Sequence, residues 1–267
     1  MSKRVVVSGA GGRMGQSIVS QVVKDEGMTL SGGLEHPGFS SLGSDVGVFA
    51  GVGELKVLFE SDPESMDGDV LISFATPEAT LEHAKFASEK GLALVIGTTG
   101  LNDLERGEIS QIAKKVPCVF APNMSVGVNV LFRLIKDAAT LLGSNYDIEL
   151  MEIHHDQKVD SPSGTAVRMG EILSETIGKA YPEDIVFHRE GIIGKRVHGS
   201  IGIQTLRGGD VPGEHTAFFF GSGERIEITH RAGNRDNFAA GAVRAASWVV
   251  GQAPGLYGMN EVLGIKE

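Results

Sequence analysis

Short apolar runs alternate with amphipathic stretches through the first 125 residues. The runs predict buried strands because they are rich in β-branched residues and bounded by turn residues; they cover residues 4–8, 28–35, 57–59, 69–74, 93–96 and 117–121. Helical patterns lie between them at residues 16–24, 77–90 and 102–115. In the second of these helices Thr76 is the expected cap, Pro77 the first residue and Gly91 the end. This alternation predicts a doubly wound parallel sheet with helices on both faces.

The pattern changes after residue 125. Apolar residues at 128, 131, 134, 135, 138 and 142 recur at helical spacing and predict a long helix that links the two halves. A strand at 146–153 and a helix at 163–177 follow, then mostly β-like sequence from 186 to 230, including 217–220 and 225–230, and a helix at 237–250. The second half is therefore expected to be a mostly β, α+β substrate domain over residues 126–236, closed by the final helix.

Composition and charge narrow the classes of function. The net charge of −10 argues against nucleic-acid binding, which needs a basic face, although local cations can still bind small anions. No apolar run approaches the ~18–20 residues of a membrane span, and the N-terminus has no signal-peptide pattern. The single cysteine, Cys118, excludes an internal disulfide and is expected to be buried packing. We therefore expect a cytoplasmic protein without a membrane partner.

A glycine-rich turn lies directly between the first predicted strand and the first predicted helix. It reads Gly9-Ala10-Gly11-Gly12-Arg13-Met14-Gly15. Glycine lets the backbone approach phosphates, and the free N–H groups at a helix start attract anions. The spacing is G-x-x-G-x-x-G rather than the commoner G-x-G-x-x-G, so an ordinary tight turn is the alternative. Because of its position between strand and helix, we interpret the turn as part of a dinucleotide site.

An acidic residue stands where such a site needs one. Glu35 ends the second predicted strand, 20 residues after Gly15. A carboxylate at this distance can bind the ribose hydroxyls of the coenzyme, and it repels a 2′-phosphate, which favours NADH over NADPH. His36 follows and could partly offset that repulsion when protonated. The alternative is a surface acid without function.

Two further loops follow predicted strand ends, where open α/β sheets bind ligands. They read Gly97-Thr98-Thr99-Gly100 and Ala121-Pro122-Asn123-Met124. Each alone is more typical of a plain turn. Together with the glycine turn they predict the part of the site that faces the nicotinamide and its carboxamide.

Residues 152–166 carry the most chemistry. His154, His155 and Lys158 place two imidazoles and an ammonium in one polar loop. Ser163, Gly164 and Thr165 open a helix whose free N–H groups can bind an anion. This content suits a substrate with carboxylates, to which a histidine supplies a proton. The alternatives are a solvated loop or a metal site. No metal is expected, because zinc needs three or four ligands and no matching cluster of cysteine or histidine is nearby in the sequence. Four scattered histidines are interpreted as structural or surface residues: His188, His198, His215 and His230.

These motifs resemble the dihydrodipicolinate reductase family, whose members are also called 4-hydroxy-tetrahydrodipicolinate reductases. Residues 152–166 are similar to its signature E-[IV]-x-H-x-x-K-x-D-x-P-S-G-T-A. The glycine turn and residues 97–100, 123–129, 213–216 and 224–230 fit other motifs of the family, so the resemblance runs nearly end to end.

The resemblance implies an activity and a role for each residue. The reaction would be NAD(P)H-dependent reduction of 4-hydroxy-tetrahydrodipicolinate to tetrahydrodipicolinate in the diaminopimelate route of lysine biosynthesis. His154 would be the general acid and Lys158 a second proton donor or charge stabiliser. The substrate would be bound by His155, Lys158, Ser163, Gly164 and Thr165, and the coenzyme by Gly9 to Met14, Glu35, His36, Gly97 to Thr99 and Ala121 to Met124.

The resemblance also implies a Rossmann-like first domain, to which a C-terminal helix at about 237–267 returns, and a second domain that forms a homotetramer. Many members of the family have an arginine that reaches the 2′-phosphate of NADPH where this chain has His36, so NADPH use stays open. Two other functions are considered: an NAD-dependent amino-acid dehydrogenase of the aspartate type, and a dinucleotide sensor without catalysis. The complete signature at residues 152–166 favours the reductase over both.

Overall fold

The computed structural model describes residues 2–65 and 67–266. The chain forms two compact units. The first contains the residues up to Val126 together with those from Arg235 onward, and the second is Gly127–Asn234. None of the described helices is long and apolar enough to cross a membrane.

The first unit contains a parallel sheet. Within the described residues it has seven strands in the order β12-β6-β5-β4-β1-β2-β3, and all of its strand pairs are parallel. The strands are β1 Lys3–Ser8, β2 Met28–Leu34, β3 Phe59–Glu60, β4 Val70–Ser73, β5 Ala93–Ile96, β6 Pro117–Phe120 and β12 Gly255–Tyr257. Strand order reverses at β1, which has β2 on one side and β4 on the other. The prediction of a doubly wound, Rossmann-like sheet is confirmed.

Helices pack two buried clusters against this sheet. They are α1 Arg13–Lys24, α2 Val46–Phe49, α3 Pro77–Lys90, α4 Asp103–Ile112, α7 Asp236–Val249 and α8 Met259–Leu263. The predicted boundaries of α3 are confirmed: Thr76 Oγ1 accepts the N–H of Ala79 at 3.3 Å, and Gly91 closes the helix in the left-handed conformation with φ 74°. Helix α4 begins with a capping box between Asn102 and Glu105.

The sequence pattern alone suggested that the final predicted helix, α7, closes the second half. In the structure α7 belongs to the first unit instead. Its buried face consists largely of small residues, among them Ala239, Gly241 and Ala242. At Gly241 a Cβ would collide with the carbonyl oxygen of Met124. Small residues therefore let α7 lie directly on the loop that follows β6.

The second unit is a mixed sheet covered by two helices, which confirms the predicted α+β domain. The strand order over the described residues is β11-β10-β7-β9-β8. Strand β9 is parallel to β7 and β8, whereas β10 is antiparallel to β7 and β11. The strands are β7 Asp147–His154, β8 Ile185–Val186, β9 Ile201–Arg207, β10 Glu214–Phe220 and β11 Arg225–Arg231, and the helices are α5 Val126–Leu142 and α6 Gly164–Thr176.

Strand β7 positions the chemistry of this unit. Its burial alternates strictly, so that Ile148, Leu150, Glu152 and His154 are buried while the intervening residues are half-buried. Ile148 and Leu150 pack in the core with residues of α5 and α6. Towards the end of the strand the same buried face carries the carboxylate of Glu152 and the imidazole of His154, so these polar groups lie next to the core.

Candidate active site

The carboxyl ends of the parallel strands bring the predicted coenzyme residues to one edge of the first unit. The glycine turn follows β1, Glu35 and His36 follow β2, Gly97 follows β5, and Ala121 follows β6. Ligands bind at this edge in open α/β sheets, next to the point where strand order reverses. The structure therefore gathers segments that are more than 100 residues apart in the sequence.

The glycine turn is shaped by contacts that leave no room for larger side chains. Gly9 has φ 75°, a left-handed conformation that favours glycine. A Cβ at Gly15 would lie 2.6 Å from the Cα of Ala10, and closer still to the carbonyl oxygen of Gly9. Gly12 caps α1 with extended backbone and, among the described residues, without a side-chain hydrogen bond. The start of α1 is therefore formed by bare backbone.

The carboxylate of Glu35 lies against this turn. Its Oε1 accepts the N–H of Gly11 at 2.8 Å, and its Oε2 accepts that of His36 at 3.3 Å. Beside it is a cavity of about 490 Å³. Its lining comprises Gly9, Gly12, Leu34, Glu35, His36, Pro37, Ser61, Phe74, Ala75, Thr76, Ala79, Glu82 and His83.

A second cavity of about 310 Å³ opens on the β5–β6 side of the same edge. Its lining comprises Met14, Phe74, Ala75, Gly97, Thr98, Thr99, Pro122, Met124 and Phe238. Phe74 and Ala75 line both cavities, so the two are neighbours across the loop that follows β4. The sequence interpretation missed this loop, although it directly follows a predicted strand.

Not every predicted coenzyme residue reaches these cavities. Ten of them line one cavity or the other: Gly9, Gly12, Met14, Glu35, His36, Gly97, Thr98, Thr99, Pro122 and Met124. Five do not: Ala10, Gly11, Arg13, Ala121 and Asn123. Ala10 is fully buried in the core, and its N–H points to the carbonyl of Leu34 at 3.3 Å. Its small side chain lets α1 pack close to the sheet.

Hydroxyl groups connect the two cavities beneath the sheet edge. The buried imidazole of His83 is 2.7 Å from Ser8 Oγ, and Ser73, Thr80 and Thr98 continue the chain of hydrogen bonds. Burial lowers the pKa of His83. This group therefore contributes a neutral imidazole to the lining beside Glu35.

In the second unit, His154 is held by a carboxylate from its own strand. Its Nδ1 lies 2.6 Å from Oε2 of Glu152, which is completely buried. The two residues share the inward face of β7 because side chains two positions apart point the same way. With Nδ1 turned towards the carboxylate, Nε2 is the nitrogen that can exchange a proton with a ligand.

Glu152 accepts further hydrogen bonds from three residues on two other segments. Arg207 donates to both carboxylate oxygens at 2.8 Å, the N–H of Ser163 donates at 3.0 Å and Thr205 Oγ1 at 3.2 Å. Burial alone would raise the pKa of Glu152, but the hydrogen bonds from His154, Arg207 and Ser163 lower it to about 2. Glu152 is therefore an anion at neutral pH.

Among the predicted substrate residues, Ser163 contacts the Glu152 carboxylate directly through its N–H. Ser163 caps α6 by accepting the N–H of Ala166 at 3.2 Å. Apart from its chain neighbours and the backbone of α6, no described atom lies within 4 Å of where a Cβ of Gly164 would be. The first turn of α6, which includes Thr165, is thus open at Gly164. Lys158 lies 2.8 Å from Asp160, whose pKa it lowers through this hydrogen bond.

His155 is tied in through its backbone. Its N–H donates to the carbonyl of Val211 at 2.8 Å. Its side chain is half-buried.

His215 is a neighbour of this site that sequence reasoning treated only as structural or surface. Its Nε2 is 3.0 Å from Ser163 Oγ, and its ring is 5.2 Å from that of His154, edge to face. Burial, followed by the nearby charge of His154, lowers its pKa to about 3. The signal in the sequence was the family motif at residues 213–216, which contains His215. The same segment contacts His154, since a Cβ at Gly213 would lie 2.9 Å from His154 Nε2.

Comparison with known proteins decides the family. The model described as "Dihydrodipicolinate reductase, N-terminus" matches residues 3–124, and "Dihydrodipicolinate reductase, C-terminus" matches residues 127–263. The chain belongs to the dihydrodipicolinate reductase family. The resemblance of its motifs is thereby confirmed, and dihydrodipicolinate reductases are oxidoreductases with a nucleotide-binding Rossmann domain.

Individual relatives agree over almost the entire length. The 4-hydroxy-tetrahydrodipicolinate reductases of Geotalea daltonii and Geobacter metallireducens are each 52 % identical over 265 residues, 98 % of this chain and 99 % of theirs. A solved dipicolinate-bound dihydrodipicolinate reductase from Paenisporosarcina is 27 % identical, with a TM-score of 0.77 over 98 % of this chain and 99 % of that one. The likeness therefore extends over both units.

Proposed function

We propose that this dihydrodipicolinate reductase family member reduces 4-hydroxy-tetrahydrodipicolinate to tetrahydrodipicolinate with NADH or NADPH, in the diaminopimelate route of lysine biosynthesis. The name shared by relatives at about half identity supports the activity. The dipicolinate bound to the Paenisporosarcina enzyme supports a heterocycle with two carboxylates as substrate.

The first unit has the features that a nicotinamide dinucleotide needs. Gly12 lines the larger cavity, and a Cβ there would have only the Gly9 carbonyl oxygen, at 3.3 Å, within 4 Å among the described residues. Backbone is therefore exposed where a pyrophosphate would lie. When bound, the reduced nicotinamide supplies the hydride. Glu35 beside this turn would bind ribose hydroxyls and oppose a 2′-phosphate, which favours NADH.

The second unit supplies the proton and holds the carboxylates. The substrate must lose its 4-hydroxyl group as water, before or during turnover. His154 Nε2 would protonate the dehydrated ring as that ring accepts the hydride, so that the ring gains two hydrogens in all and the imidazolium becomes neutral. The ammonium of Lys158 and the first turn of α6, which contains Gly164 and Thr165, would hold the carboxylates, with His155 alongside. The observation that carries this assignment is the 2.6 Å contact that fixes Nδ1 of His154 on Glu152.

Coenzyme oxidation, followed optically with the precursor generated enzymatically, tests the proposal. We expect turnover with NADH and slower turnover with NADPH. His154→Ala should lower kcat by about 10²–10⁴, the range for a lost general acid. Lys158→Ala should raise KM for the precursor without changing that for NADH. Oxidation with an amino acid but not with the precursor would favour the dehydrogenase alternative, and binding without oxidation would favour a sensor.

We further propose that the protein is a homotetramer, as the family resemblance implies, and that it is cytoplasmic, since its single cysteine fits a reducing compartment. Its second sheet would provide the interface, since β11 is an edge strand with exposed apolar side chains such as Ile226. Light scattering after size exclusion should give about four times the chain mass of 28.2 kDa. A monomer would contradict the assembly but not the activity.

A further inference from the structure

Glu152 is the one fully buried charged side chain among the residues described, and the proposed reaction gives it no step of its own. We propose that Glu152, held in place by Arg207, is a positioning residue that fixes the proton of His154 on Nδ1 and thereby makes Nε2 the acid. The inference rests on the proposed role of His154 as proton donor.

Geometry leaves His154 little choice of tautomer. The residue is only 8 % exposed, and its Nδ1 is 2.6 Å from a carboxylate oxygen, which can only accept. Nδ1 must therefore carry a proton, whether the ring is charged or neutral. When the Nε2–H bond breaks and the proton passes to the substrate, the Nδ1–H bond to Glu152 persists and the ring stays in position.

Arg207 keeps this carboxylate ionised and oriented. Its two terminal nitrogens donate to separate oxygens of Glu152 at 2.8 Å, the bidentate arrangement that fixes a carboxylate plane. Because a buried carboxylate without a cation is strongly disfavoured, this pairing is what lets Glu152 remain an anion inside the unit.

The same carboxylate also sets the distances between the groups that would bind substrate. It accepts the N–H of Ser163, which caps α6, so the acid and the helix start share one anchor. Nη2 of Arg207 in addition donates to the carbonyl of Asp160 at 2.8 Å, and Asp160 pairs with Lys158. One buried anion thus connects the proton donor with both elements proposed to hold carboxylates.

A purely structural ion pair is the competing explanation, and β7 itself provides the control for it. Glu149, on the opposite face of that strand, forms a bidentate pair with Arg189 at 2.7 Å and also accepts from Arg196. Glu149→Gln breaks a pair of the same type without touching His154. Glu152→Gln and Glu149→Gln therefore differ in their relation to the imidazole.

Glu152→Gln should remove the proton from Nδ1 and leave a neutral ring with its only proton on Nε2, which is a far weaker acid than the imidazolium. An amide has a single acceptor oxygen, for which Arg207 and the Ser163 N–H compete, so its NH₂ is left to face His154 Nδ1. That nitrogen must then accept, which puts the proton on Nε2. Nitrogen-15 spectra of histidine-labelled protein, with His154 assigned by His154→Gln, should show an Nδ1–H ring in the wild type and an Nε2–H ring in Glu152→Gln.

The variant in which the tautomer of His154 changes should also be the one in which kcat falls. Glu152→Gln should lower kcat by about 10–100-fold or more, by analogy with the loss when a carboxylate that orients a metal-binding histidine is removed, with KM for NADH unchanged. Glu149→Gln should keep kcat within about twofold, because Glu149 is half-buried on the face of β7 opposite His154. Because Glu152→Gln leaves Arg207 without the carboxylate that balances its charge, the double variant Glu152→Gln/Arg207→Gln removes both members of the ion pair. We expect it to regain thermal stability but not kcat.

The outcomes separate the two proposals. An unchanged Nδ1–H signal in Glu152→Gln, a kcat within about twofold of the wild type, or recovery of kcat in the double variant would overturn the positioning role. Failure of the wild type to oxidise NADH with the precursor would overturn the proposed function. The tautomer of His154 would still be measured in that case, because the spectra need no substrate.

Discussion

Gly15 and Gly107 are both helical glycines, and the structure predicts opposite effects when each is replaced by alanine. Gly15 lies in α1, where an added Cβ would be 2.6 Å from the Cα of Ala10 and in collision with the carbonyl oxygen of Gly9. Gly107 lies in α4, exposed, with no described atom within 4 Å of the Cβ position. Only the surroundings distinguish the two sites.

The sizes of two opposing effects decide whether each substitution raises or lowers the free energy of unfolding. Replacing glycine by alanine inside a helix stabilises it by about 1 kcal/mol because less chain entropy is lost. Overpacking opposes this by about 1–3 kcal/mol or more when the neighbour cannot yield. At Gly15 the neighbours are backbone atoms of the glycine turn, so the upper end applies and the net loss is about 2 kcal/mol. At Gly107 the gain of up to about 1 kcal/mol remains.

Thermal unfolding measures both effects. In a unit of this size 1 kcal/mol shifts Tm by about 2–4 °C. Gly15→Ala should therefore lower Tm by about 4–8 °C, and Gly107→Ala should raise it by about 2–4 °C. Calorimetry should also find weaker NADH binding only in Gly15→Ala, because the displaced Gly9 carbonyl accepts the N–H of Gly12 at 3.1 Å. A Gly15→Ala protein as stable as the wild type would refute the steric reasoning.

Three shorter predictions follow. Gly12→Ala should fold normally but raise KM for NADH several-fold, because its Cβ would point into the larger cavity; an unchanged KM in steady-state assays would contradict this. Gly213→Ala should lower kcat without changing KM for NADH, since its Cβ would press on His154 Nε2; equal kcat values would count against it. The folded-state pKa of His215 is about 3, below its ordinary 6.5, so the unfolded state binds the proton first and stability falls as pH drops from about 6.5 towards about 3. In urea titrations at several pH values, His215→Asn should reduce that slope by up to about 1.4 kcal/mol per pH unit, and an unaltered slope would be inconsistent with a buried neutral imidazole.

Local signals explain why much of the fold could be predicted. Helix α3 was predicted at its observed residues because its cap, its first-turn proline and its terminal glycine are all encoded within the segment itself. Strand β12, by contrast, was missed. Its three residues, Gly255–Tyr257, form a strand only by pairing with β6, more than 130 residues earlier. No periodicity within so short a segment could have indicated this pairing.

The residues of the candidate site likewise fall into those that the sequence could predict and those that it could not. Gly12, Glu35 and Thr98 could be predicted because the carboxyl ends of parallel strands meet at one edge, whatever the loops contain. Glu152 and Arg207 could not. They are 55 residues apart, and their contact depends on the pairing of β7 with β9, a register that sequence alone does not determine.

That register is the property on which the second unit's chemistry depends. In the observed pairing His154 lies opposite Arg207, and Glu152 lies opposite Thr205 on one side and His215 on the other. A shift of β9 by one residue would turn Arg207 to the other face, because side chains alternate along a strand. Glu152 would then be a buried anion without its cation, which is costly enough to exclude the shifted pairing. The ion pair that we propose to position the acid therefore also selects the strand register that creates it, so positioning and folding depend on the same contact.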